Sequence, residues 1–253
     1  AGLSRGLGDV YKRQINKCER IKIDINNENE LVEKLDFLMI DLVVIGPEIP
    51  LANGLADLLR KKDFKVFGPN KDGAKLEFSK SWAKEFMQKA NIPTANFWKV
   101  NSIEEAKKII NSSSIPLVVK ADGLASGKGV FVTNSTDECL QAAESIFNGK
   151  FGKSGNVVVL EEKIQGPEVS VFALCDGERY TLLPTAQDHK RLNEKDKGPN
   201  TGGMGAYSPA PLLKKDYQDR IIKEIIEPTV NELNKRNIDY RGVIYFGLMI
   251  TKS

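Results

Sequence analysis

Hydrophobic and polar positions in the first third of the chain predict a strand, a helix and a second strand. The apolar runs at 41–48 ("DLVVIGPE") and 64–70 ("FKVFGPN") are typical of strands, and 51–62 ("LANGLADLLRKK") has the spacing of an amphipathic helix. Such a unit forms a parallel sheet, whose ligands bind at the carboxyl ends of the strands. The "GPE" turn at 46–48 falls at that edge, although a simple turn at the end of a strand accounts for it equally well.

The next pattern is helical and then mixed. A helix is predicted from about Gly73 to Ala90, with its apolar residues at helical spacing and therefore in the core. Those residues are Leu76, Trp82, Ala83, Phe86, Met87 and Ala90. From Thr94 onward, strands and helices alternate up to the strand "NVVVLEEKI" at 156–164, with a glycine-rich loop between two of the strands. This order predicts a small α+β subdomain that resembles a lid, at about 98–165.

The remaining pattern consists of strands, one long loop and one long helix. Two strand runs at 167–186 are joined at Asp176-Gly177, a pair typical of two-residue hairpin turns. A helix over about 213–236 precedes the final strand. Between them, 187–211 contains several turn-forming residues and no clear element. Loops of this length inside compact domains are typically functional.

Both ends of the sequence depart from these patterns. The chain begins with Ala, and residues 1–14 show neither helical nor strand periodicity and contain "DVYKRQ", which resembles translated adapter sequence. We therefore expect a non-native leader at 1–14 and the native pattern from about Ile15. At the other end the chain stops after a strong strand, where a hairpin partner is expected to begin. These features predict that the chain is a fragment.

Composition and charge narrow the class of protein. The chain has 253 residues, 41% hydrophobic and 28% charged, which is an ordinary globular composition with enough length for two domains or one large one. Its 37 basic and 34 acidic residues are interspersed, so the net charge of +3 favours neither a nucleic-acid nor a membrane surface. The apolar runs are too short to span a bilayer. Cys18, Cys139 and Cys175 lack metal-site or CxxC spacing, which fits reduced thiols in the cytoplasm.

The segment "VVKADGLASGKGVFV" at 118–132 has the composition of a phosphate-binding loop, because glycines let backbone N–H groups approach an anion and lysines add positive charge. The Walker A template fails, since three residues separate Gly123 from Gly127 and a glycine follows Lys128. The dinucleotide template fails as well, because the loop leads into the strand-like run "VFV". The loop is therefore predicted to join two strands. A hairpin that covers phosphates and an ordinary glycine-rich turn both remain open.

Two further segments carry polar side chains that are suited to chemistry. His189, the only histidine, lies between Asp188 and Lys190 and is a candidate acid, base or anion contact, against a merely positioning or exposed role. One histidine beside one carboxylate does not make a zinc site. The second segment, 161–168, holds three glutamates between two strands. It is either a solvated hairpin end or a nucleotide edge, because carboxylates accept hydrogen bonds from adenine amino and ribose hydroxyl groups.

Together these segments resemble the glycinamide ribonucleotide synthetase (phosphoribosylamine–glycine ligase) family of the ATP-grasp superfamily. The resemblance covers about residues 30–250 and includes "VVIGPEIPLANGLAD", "KLEFSKSWAKEFM", "VVKADGLASGKGV", "LEEKIQGPEVS" and "FGLMI". The segments "QDHKR" and "GPNTGGMGAYSP" are specific to this ligase, whereas the lysines and the glycine loop are shared across ATP-grasp enzymes. The implied fold is α/β: a partial parallel-sheet N-terminal domain that binds substrate at 15–75, then an ATP-grasp α+β domain at 76–253, incomplete at its C-terminus, with the lid subdomain.

The resemblance also implies roles for individual residues. The loop at 123–129 folds over ATP phosphates as a mobile hairpin, Lys80 and Lys120 contact phosphates, 161–164 forms the adenine edge and Glu168 contacts the ribose. The implied ATP-binding residues are Lys80, Lys120, Gly123, Ser126, Gly127, Lys128, Gly129, Glu161, Glu162, Lys163, Ile164 and Glu168. The candidates for the reaction centre are Asp188, His189 and Lys190. The candidates for holding 5-phosphoribosylamine are Gly46, Pro47, Glu48, Pro199, Asn200, Thr201, Gly202 and Gly203.

The implied reaction is a two-step ligation. The glycine carboxylate attacks the γ-phosphate of ATP to give an acyl phosphate, and the amine of 5-phosphoribosylamine then displaces phosphate to give glycinamide ribonucleotide. Positioning and charge neutralisation dominate such phosphoryl transfer. In the family the ligands for Mg²⁺ or Mn²⁺ lie beyond the point that corresponds to Ser253, so this chain is expected to hold no metal site, to bind ATP weakly if at all and not to turn over.

Two alternative functions remain. One is another ATP-grasp ligase or carboxylase with a different acid and nucleophile, which the 187–211 loop disfavours. The other is a nucleotide-binding module without catalysis. Nucleic-acid binding is the least favoured, because the charge is nearly balanced and no aromatic-basic platform is present.

Overall fold

A computed structural model describes residues 21–125, 128–189, 191–194, 197–201 and 203–251. The predicted leader at 1–14 lies outside the described residues. So do five of the residues singled out in the sequence, namely Cys18, Ser126, Gly127, Lys190 and Gly202. Within the described ranges, no helix has both the length and the apolar character that a membrane span requires.

The N-terminal part contains the predicted strand–helix–strand unit. Its elements are α1 (Glu28–Phe37), β1 (Val43–Val44), α2 (Glu48–Asn53), α3 (Leu55–Lys61) and β2 (Val66–Phe67). The two strands are parallel, as predicted, with Val43 opposite Val66. The single helix predicted over 51–62 is two helices, because Gly54 adopts a left-handed conformation (φ +92°) that ends α2. A small apolar core formed by Ile45, Ala56, Leu59 and Val66 lies within the unit.

Two helices follow where the sequence predicted one. They are α4 (Lys71–Phe78) and α5 (Lys80–Lys89). Ser79 between them is extended, and its Oγ accepts a hydrogen bond from the Trp82 N–H at 3.3 Å, so that it caps the amino end of α5. The prediction of one continuous helix was wrong because the apolar spacing continues across a one-residue break. The break places Lys80 at the start of a helix.

The lid subdomain is a four-stranded sheet with two helices. Its elements are β3 (Phe97–Val100), α6 (Ile103–Ser112), β4 (Leu117–Ala121), β5 (Val130–Val132), α7 (Thr136–Ser145) and β6 (Val158–Glu162). The strand order is β3-β6-β4-β5, and all three neighbouring pairs are antiparallel. A π-helical turn (Ile146–Lys150) and a 3-10 helix (Gly152–Gly155) lead from α7 towards β6. The lid has a core of its own, in which Leu117, Ile146 and Leu160 are fully buried.

The C-terminal part begins with a hairpin and ends with a long strand. Its elements are β7 (Glu168–Asp176), β8 (Tyr180–Leu182), β9 (Gln187–Asp188), β10 (Arg191–Asn193), β11 (Lys197–Asn200), β12 (Ala206–Tyr207), α8 (Lys215–Ile221), a π-helical turn (Ile222–Ile226), α9 (Glu227–Lys235) and β13 (Arg241–Met249). The strands of the main sheet lie in the order β13-β7-β8 and are antiparallel. The turn after β7 lies one residue later than predicted: Asp176 ends β7 and its N–H donates to Arg179 O at 3.1 Å, so that Gly177 (φ +105°) and Glu178 are the two turn residues.

The long segment at 187–211, in which the sequence showed no clear element, contains four short strands. β9 pairs with β12 and β10 pairs with β11, both antiparallel. The sequence showed no element here because strands of two to four residues are too short to show alternation. The segment starts beside β7, the central strand of the main sheet, where Ala186 pairs with Ser170. It therefore lies near the first residues of β7.

The largest apolar core lies where α5, α8 and α9 pack against the main sheet. Phe86 is 1% exposed in this core, and Trp82 stacks on it with ring centroids 5.3 Å apart. The predicted core residues Leu76, Met87 and Ala90 pack against the same cluster, as does Trp82. The guanidinium of Arg236 covers both rings, 4.7 Å from the centroid of Phe86 and 5.7 Å from that of Trp82.

The two cysteines within the described ranges are buried free thiols, as expected from the sequence. Cys139 lies in the lid core and Cys175 in the core of the main sheet. Burial raises the pKa of the Cys175 thiol to about 11, with a further contribution from Asp176. Such a thiol stays protonated and therefore unreactive near neutral pH.

We predict that Phe86→Ala lowers the free energy of unfolding by about 3–5 kcal/mol, because it opens a cavity in the main core. Phe37→Ala is the matched control, since Phe37 is 77% exposed, and we expect it to change the free energy by less than about 0.5 kcal/mol. Urea denaturation followed by circular dichroism measures both. Equal losses of unfolding free energy in the two variants would show that burial of Phe86 does not stabilise the main core.

Candidate functional site

The glycine-rich segment connects β4 and β5 of the lid sheet, so the prediction that it joins two strands is confirmed. Lys120 lies opposite Val130, and the Ala121 N–H donates to Gly129 O at 2.8 Å at the root of the hairpin. Nearer the tip, the Lys128 N–H donates to Ala125 O at 2.9 Å. The predicted loop residues Ser126 and Gly127 lie outside the described residues.

Gly123 and Gly129 are required by close packing at the two arms of this hairpin. A Cβ atom at Gly123 would lie 2.6 Å from Ser154 Oγ, and one at Gly129 would lie 2.7 Å from Ala125 Cβ. On the first arm, the Gly123 N–H donates to Ser154 O at 3.3 Å, and Ser154 Oγ donates to Leu124 O at 2.9 Å. The first arm therefore rests directly on the 3-10 helix of the lid.

Lys80 lies at the root of the glycine hairpin. Its Nζ donates to Gly123 O at 3.2 Å and to Asp122 O at 3.4 Å. Burial lowers the pKa of Lys80, while the neighbouring Asp122 carboxylate raises it and Lys120 lowers it further. The structure thus brings together the two lysines that the family resemblance assigned to phosphate binding, with Lys120 close enough to lower the pKa of Lys80.

Glu161 is bound by two lysines from different elements. This carboxylate, on β6, is 6% exposed; its Oε2 lies 3.0 Å from Lys84 Nζ and its Oε1 lies 2.8 Å from Lys120 Nζ. Lys84 also donates to Thr94 Oγ1 at 2.7 Å. Burial lowers the pKa of Lys84, and the Glu161 charge partly restores it. We call Lys84, Lys120 and Glu161 the lysine–glutamate cluster; it carries a net positive charge, as a site for a polyphosphate requires.

Lys84 was not singled out in the sequence. Its signal was the spacing from Lys80, since residues four apart lie on the same face of a helix. A solvent-facing lysine is nevertheless the more common outcome for such a position. Its burial depends on Glu161, which comes from another strand, and sequence spacing does not show that contact.

A cavity of about 670 Å³ lies between the lid sheet and the main sheet. The lysine–glutamate cluster and Ile164 line it on the lid side, and 244–251 line it on the side of β13. Glu77 of α4 lines it as well. This volume is in the range of sites for small molecules. The predicted residues Lys120, Glu161 and Ile164 therefore face one common space.

The other residues of the predicted nucleotide edge run from the lid to the main sheet. Glu162 accepts a hydrogen bond from Asn96 Nδ2 at 3.0 Å. Lys163 Nζ donates to Asn134 Oδ1 at 2.9 Å and to the Thr133 carbonyl at 3.2 Å. Glu168 is the exposed first residue of β7 and lies opposite Met249 of β13. These hydrogen bonds attach the side chains of Glu162 and Lys163 to neighbouring residues of the lid.

The turn at 46–48 lies at the carboxyl end of the parallel strand β1, as predicted. Gly46 and Pro47 are exposed, and Glu48 begins α2. The Glu48 carboxylate contributes to a raised pKa of Glu77, whose main cause is burial, whereas Lys80 lowers that pKa. Glu77, which was not singled out in the sequence, is therefore close enough to Glu48 and to Lys80 for both charges to shift its pKa. The structure thus brings the turn into the electrostatic surroundings of the lysines.

The residues predicted for the reaction centre form a second group on the 187–207 segment. Asp188 pairs with Ala206, and the His189 N–H donates to Gly205 O at 2.9 Å. The His189 ring is exposed and lies 5.3 Å from the Tyr207 ring. Of the predicted substrate residues, Pro199 and Asn200 lie in β11, and Thr201 Oγ1 accepts the N–H of Gly203, which has φ +114°. Lys190 and Gly202 lie outside the described residues.

Among the described residues, no group of three or more His, Cys, Asp or Glu side chains is arranged so that it could hold a metal ion.

Two family models together match residues 8–253 of the chain. The model for the phosphoribosylglycinamide synthetase N domain matches residues 8–77, and the model for the ATP-grasp (A) domain of the same enzyme matches residues 78–253. Among curated proteins, a phosphoribosylamine–glycine ligase of Mesorhizobium japonicum is 45% identical over 235 residues, which are 93% of this chain and 55% of that protein. The chain thus spans about half the length of the curated relatives it matches.

Solved structures agree with these matches. The crystal structure of a phosphoribosylamine–glycine ligase from Thermotoga maritima has a TM-score of 0.73 and 36% identity, and covers 87% of this chain and 54% of that one. A biotin carboxylase domain from Hydrogenobacter thermophilus, solved with magnesium ADP, has a TM-score of 0.70 at 19% identity over 93% of this chain and 52% of that one. The second likeness concerns the fold alone.

We predict that Lys84→Met lowers the free energy of unfolding by about 3 kcal/mol, because it removes one partner of a buried carboxylate. Lys99→Met is the matched control: Lys99 also lies 2.9 Å from a glutamate, Glu85, but both side chains are about 40% exposed. We expect it to cost less than about 1 kcal/mol. Chemical denaturation distinguishes the two, and similar small losses would contradict a structural role for the cluster.

Proposed function

The chain belongs to the phosphoribosylglycinamide synthetase family, and we propose that it carries the ATP-binding part of an enzyme that joins glycine to 5-phosphoribosylamine. The products are glycinamide ribonucleotide, ADP and phosphate, so the reaction is a step of purine biosynthesis. The matching relatives named phosphoribosylamine–glycine ligase support this proposal. The chain's own substrates are part of the proposal, because the chain spans about half of those relatives.

One observation carries the proposal: Lys80 and Lys120 converge at the root of the glycine hairpin. Lys80 Nζ lies 3.2 Å from Gly123 O, and Lys120 is bound to Glu161 at the wall of the cavity. ATP carries its negative charge on the phosphates, and two ammonium groups beside a glycine loop provide charge and backbone N–H donors for them. We therefore propose that the phosphates lie beneath residues 123–129.

In the proposed first step, a carboxylate oxygen of glycine attacks the γ-phosphorus of ATP. The bond to the β–γ bridging oxygen breaks, ADP leaves and glycyl phosphate forms. Phosphoryl transfer of this kind needs positioning and charge neutralisation more than covalent help from a side chain. Lys80 and Lys120 provide the charge. A divalent ion, Mg²⁺ or Mn²⁺, would add to that neutralisation when bound with ATP.

In the proposed second step, the amine of 5-phosphoribosylamine attacks the acyl carbon. The amide bond forms, phosphate leaves with the electron pair of the acyl C–O bond, and the amine gives up a proton. His189, next to Asp188, is the candidate acceptor of that proton. We assign the phosphoribosyl group to the turn at 46–48 and to residues 199–203, and we group Lys190 with His189 at the reaction centre.

Recognition of the nucleoside falls to the 161–168 segment in this proposal. Both carboxylate oxygens of Glu161 are bound by lysines, so the adenine contacts come from the backbone of 161–164 and from the side chain of Ile164. Glu168, exposed at the start of β7, is assigned to a ribose hydroxyl. The buried free thiols in the described ranges fit the cytoplasm as the location of this enzyme.

The direct test measures ADP release by the protein expressed from its complete reading frame, with ATP and Mg²⁺. We expect release only when glycine and 5-phosphoribosylamine are both present. Asp188→Ala and His189→Ala should lower ligation by at least about a hundredfold and leave ATP binding intact. ADP release that requires neither glycine nor 5-phosphoribosylamine would point to another ATP-grasp reaction. ATP binding with no ligation under any condition would point to a nucleotide-binding module.

We also predict a loss of ATP affinity at alkaline pH that depends on Lys80. Burial lowers the pKa of Lys80 from its ordinary value of 10.5, so the binding ammonium is present below that lowered pKa and is lost as the pH rises through it. Lys80→Arg should move the loss to higher pH, because a guanidinium keeps its proton. Lys89→Arg, at the exposed end of the same helix, is the control. Titration with a fluorescent ATP analogue measures the profile, and identical profiles for all three proteins would contradict the role of Lys80.

A further inference from the structure

Asp122, between β4 and the glycine hairpin, reaches the amino end of α5 with its carboxylate. Its Oδ1 accepts a hydrogen bond from the Ser81 N–H at 2.5 Å, and its Oδ2 accepts one from Ser79 Oγ at 3.1 Å. The first N–H groups of a helix lack partners within the helix and favour negative charge. Asp122 therefore acts as the acidic cap of α5, in addition to Ser79.

The origin of this carboxylate distinguishes α5 from the helices of the lid. In α6, Glu105 accepts the N–H of Asn101 at 2.8 Å, and in α7, Glu138 accepts the N–H of Asn134 at 2.8 Å. Both are local contacts within one helix start. The first turn of α5 has no acidic residue of its own, and its carboxylate comes from the root of the glycine hairpin. This contact joins two elements that are distant in the sequence.

The backbone of Asp122 strengthens the same connection. Its carbonyl accepts the Lys80 N–H at 3.2 Å as well as Lys80 Nζ, and its own N–H donates to Val157 O at 3.1 Å. The second arm of the hairpin, at Lys128 and Gly129, is bonded to Ala125 and Ala121 of the hairpin itself. The hairpin is therefore attached to α5 through its first arm.

From this geometry we propose that Asp122 is a positioning residue that fixes the glycine loop relative to Lys80, so that both reach the same phosphate. The inference rests on the proposed function. Without the Asp122 carboxylate, α5 loses its bonds from Ser79 and Ser81 to the loop root and keeps those from Lys80 to backbone carbonyls, so that Lys80 Nζ is held less firmly beside the Gly123 carbonyl. The Lys80 ammonium group and the glycine loop then no longer lie at the positions from which both reach the same phosphate of ATP.

The test uses the protein from its complete reading frame and two measurements: the dissociation constant for ATP, and cleavage by trypsin after Lys128, which is exposed. In the wild type, ATP should protect this bond. Asp122→Ala should weaken ATP binding about tenfold, the loss expected for one charge-assisted hydrogen bond, and should abolish the protection. Asp122→Asn should lie between the two, because its amide oxygen still accepts the Ser81 N–H but carries no charge.

A double-mutant cycle tests whether Asp122 acts through Lys80. In a Lys80→Met background, Asp122→Ala should change the dissociation constant by less than about twofold, because the two residues act as one unit. Glu105→Ala is the matched control, since it removes a helix-start carboxylate elsewhere in the lid. It should leave ATP binding and protection unchanged. Circular dichroism reports whether each variant folds, and if Asp122→Ala does not fold, Asp122→Asn decides in its place.

The outcomes separate the inference from the function on which it rests. Wild-type affinity and protection in Asp122→Ala would overturn the inference alone. So would a tenfold loss that is equally large in the Lys80→Met background, because Asp122 would then act independently of Lys80. No ATP binding by the wild type would overturn the proposed function and the inference with it.

Discussion

A buried carboxylate between two ammonium groups determines how the main parts of this structure meet. Glu161 is on the lid sheet, Lys120 is on the neighbouring strand, and Lys84 is on α5, which packs into the large core. An unpaired charge at such a depth costs several kcal/mol. The lid and the large core must therefore keep the relative position in which Lys84 of α5 reaches Glu161. The cavity and the root of the glycine hairpin lie next to this contact.

Much of the fold was predictable because it follows from local patterns. Apolar periodicity identified the parallel unit, the core face of α5 and the strands on both sides of the glycine loop. The Asp176-Gly177 pair located the turn after β7 to within one residue, since glycine takes a positive φ without steric cost. The break at Ser79 was missed because two successive helices with nearly the same phase show one continuous apolar stripe. The short strands within 187–207 were missed because they are held by pairing with each other and not by their own alternation.

The candidate site was predictable only in part, and for a different reason. The composition of the glycine loop suggested phosphate binding without excluding an ordinary turn, whereas Lys80 and Lys120 were assigned to phosphate only through the family resemblance. The lysine–glutamate cluster and Glu77 depend on contacts between distant segments, which no spacing in the sequence records. The biotin carboxylase domain has a similar fold at only 19% identity. A shared fold does not determine the reaction, because the chemistry depends on individual segments of the chain.

The intrinsic fluorescence of the two tryptophans reports on two different parts of the chain. The chain has two tryptophans: Trp82 is stacked on Phe86 beneath Arg236 in the large core, and Trp98 is 36% exposed on the lid. The backbone N–H of Trp82 donates to Ser79 Oγ. Trp82 therefore lies in the first turn of α5, near the root of the glycine hairpin. The emission of Trp82 and of Trp98 should therefore respond to different events. Quenching by a dissolved solute would distinguish loosening of the large core from opening of the lid without any added label.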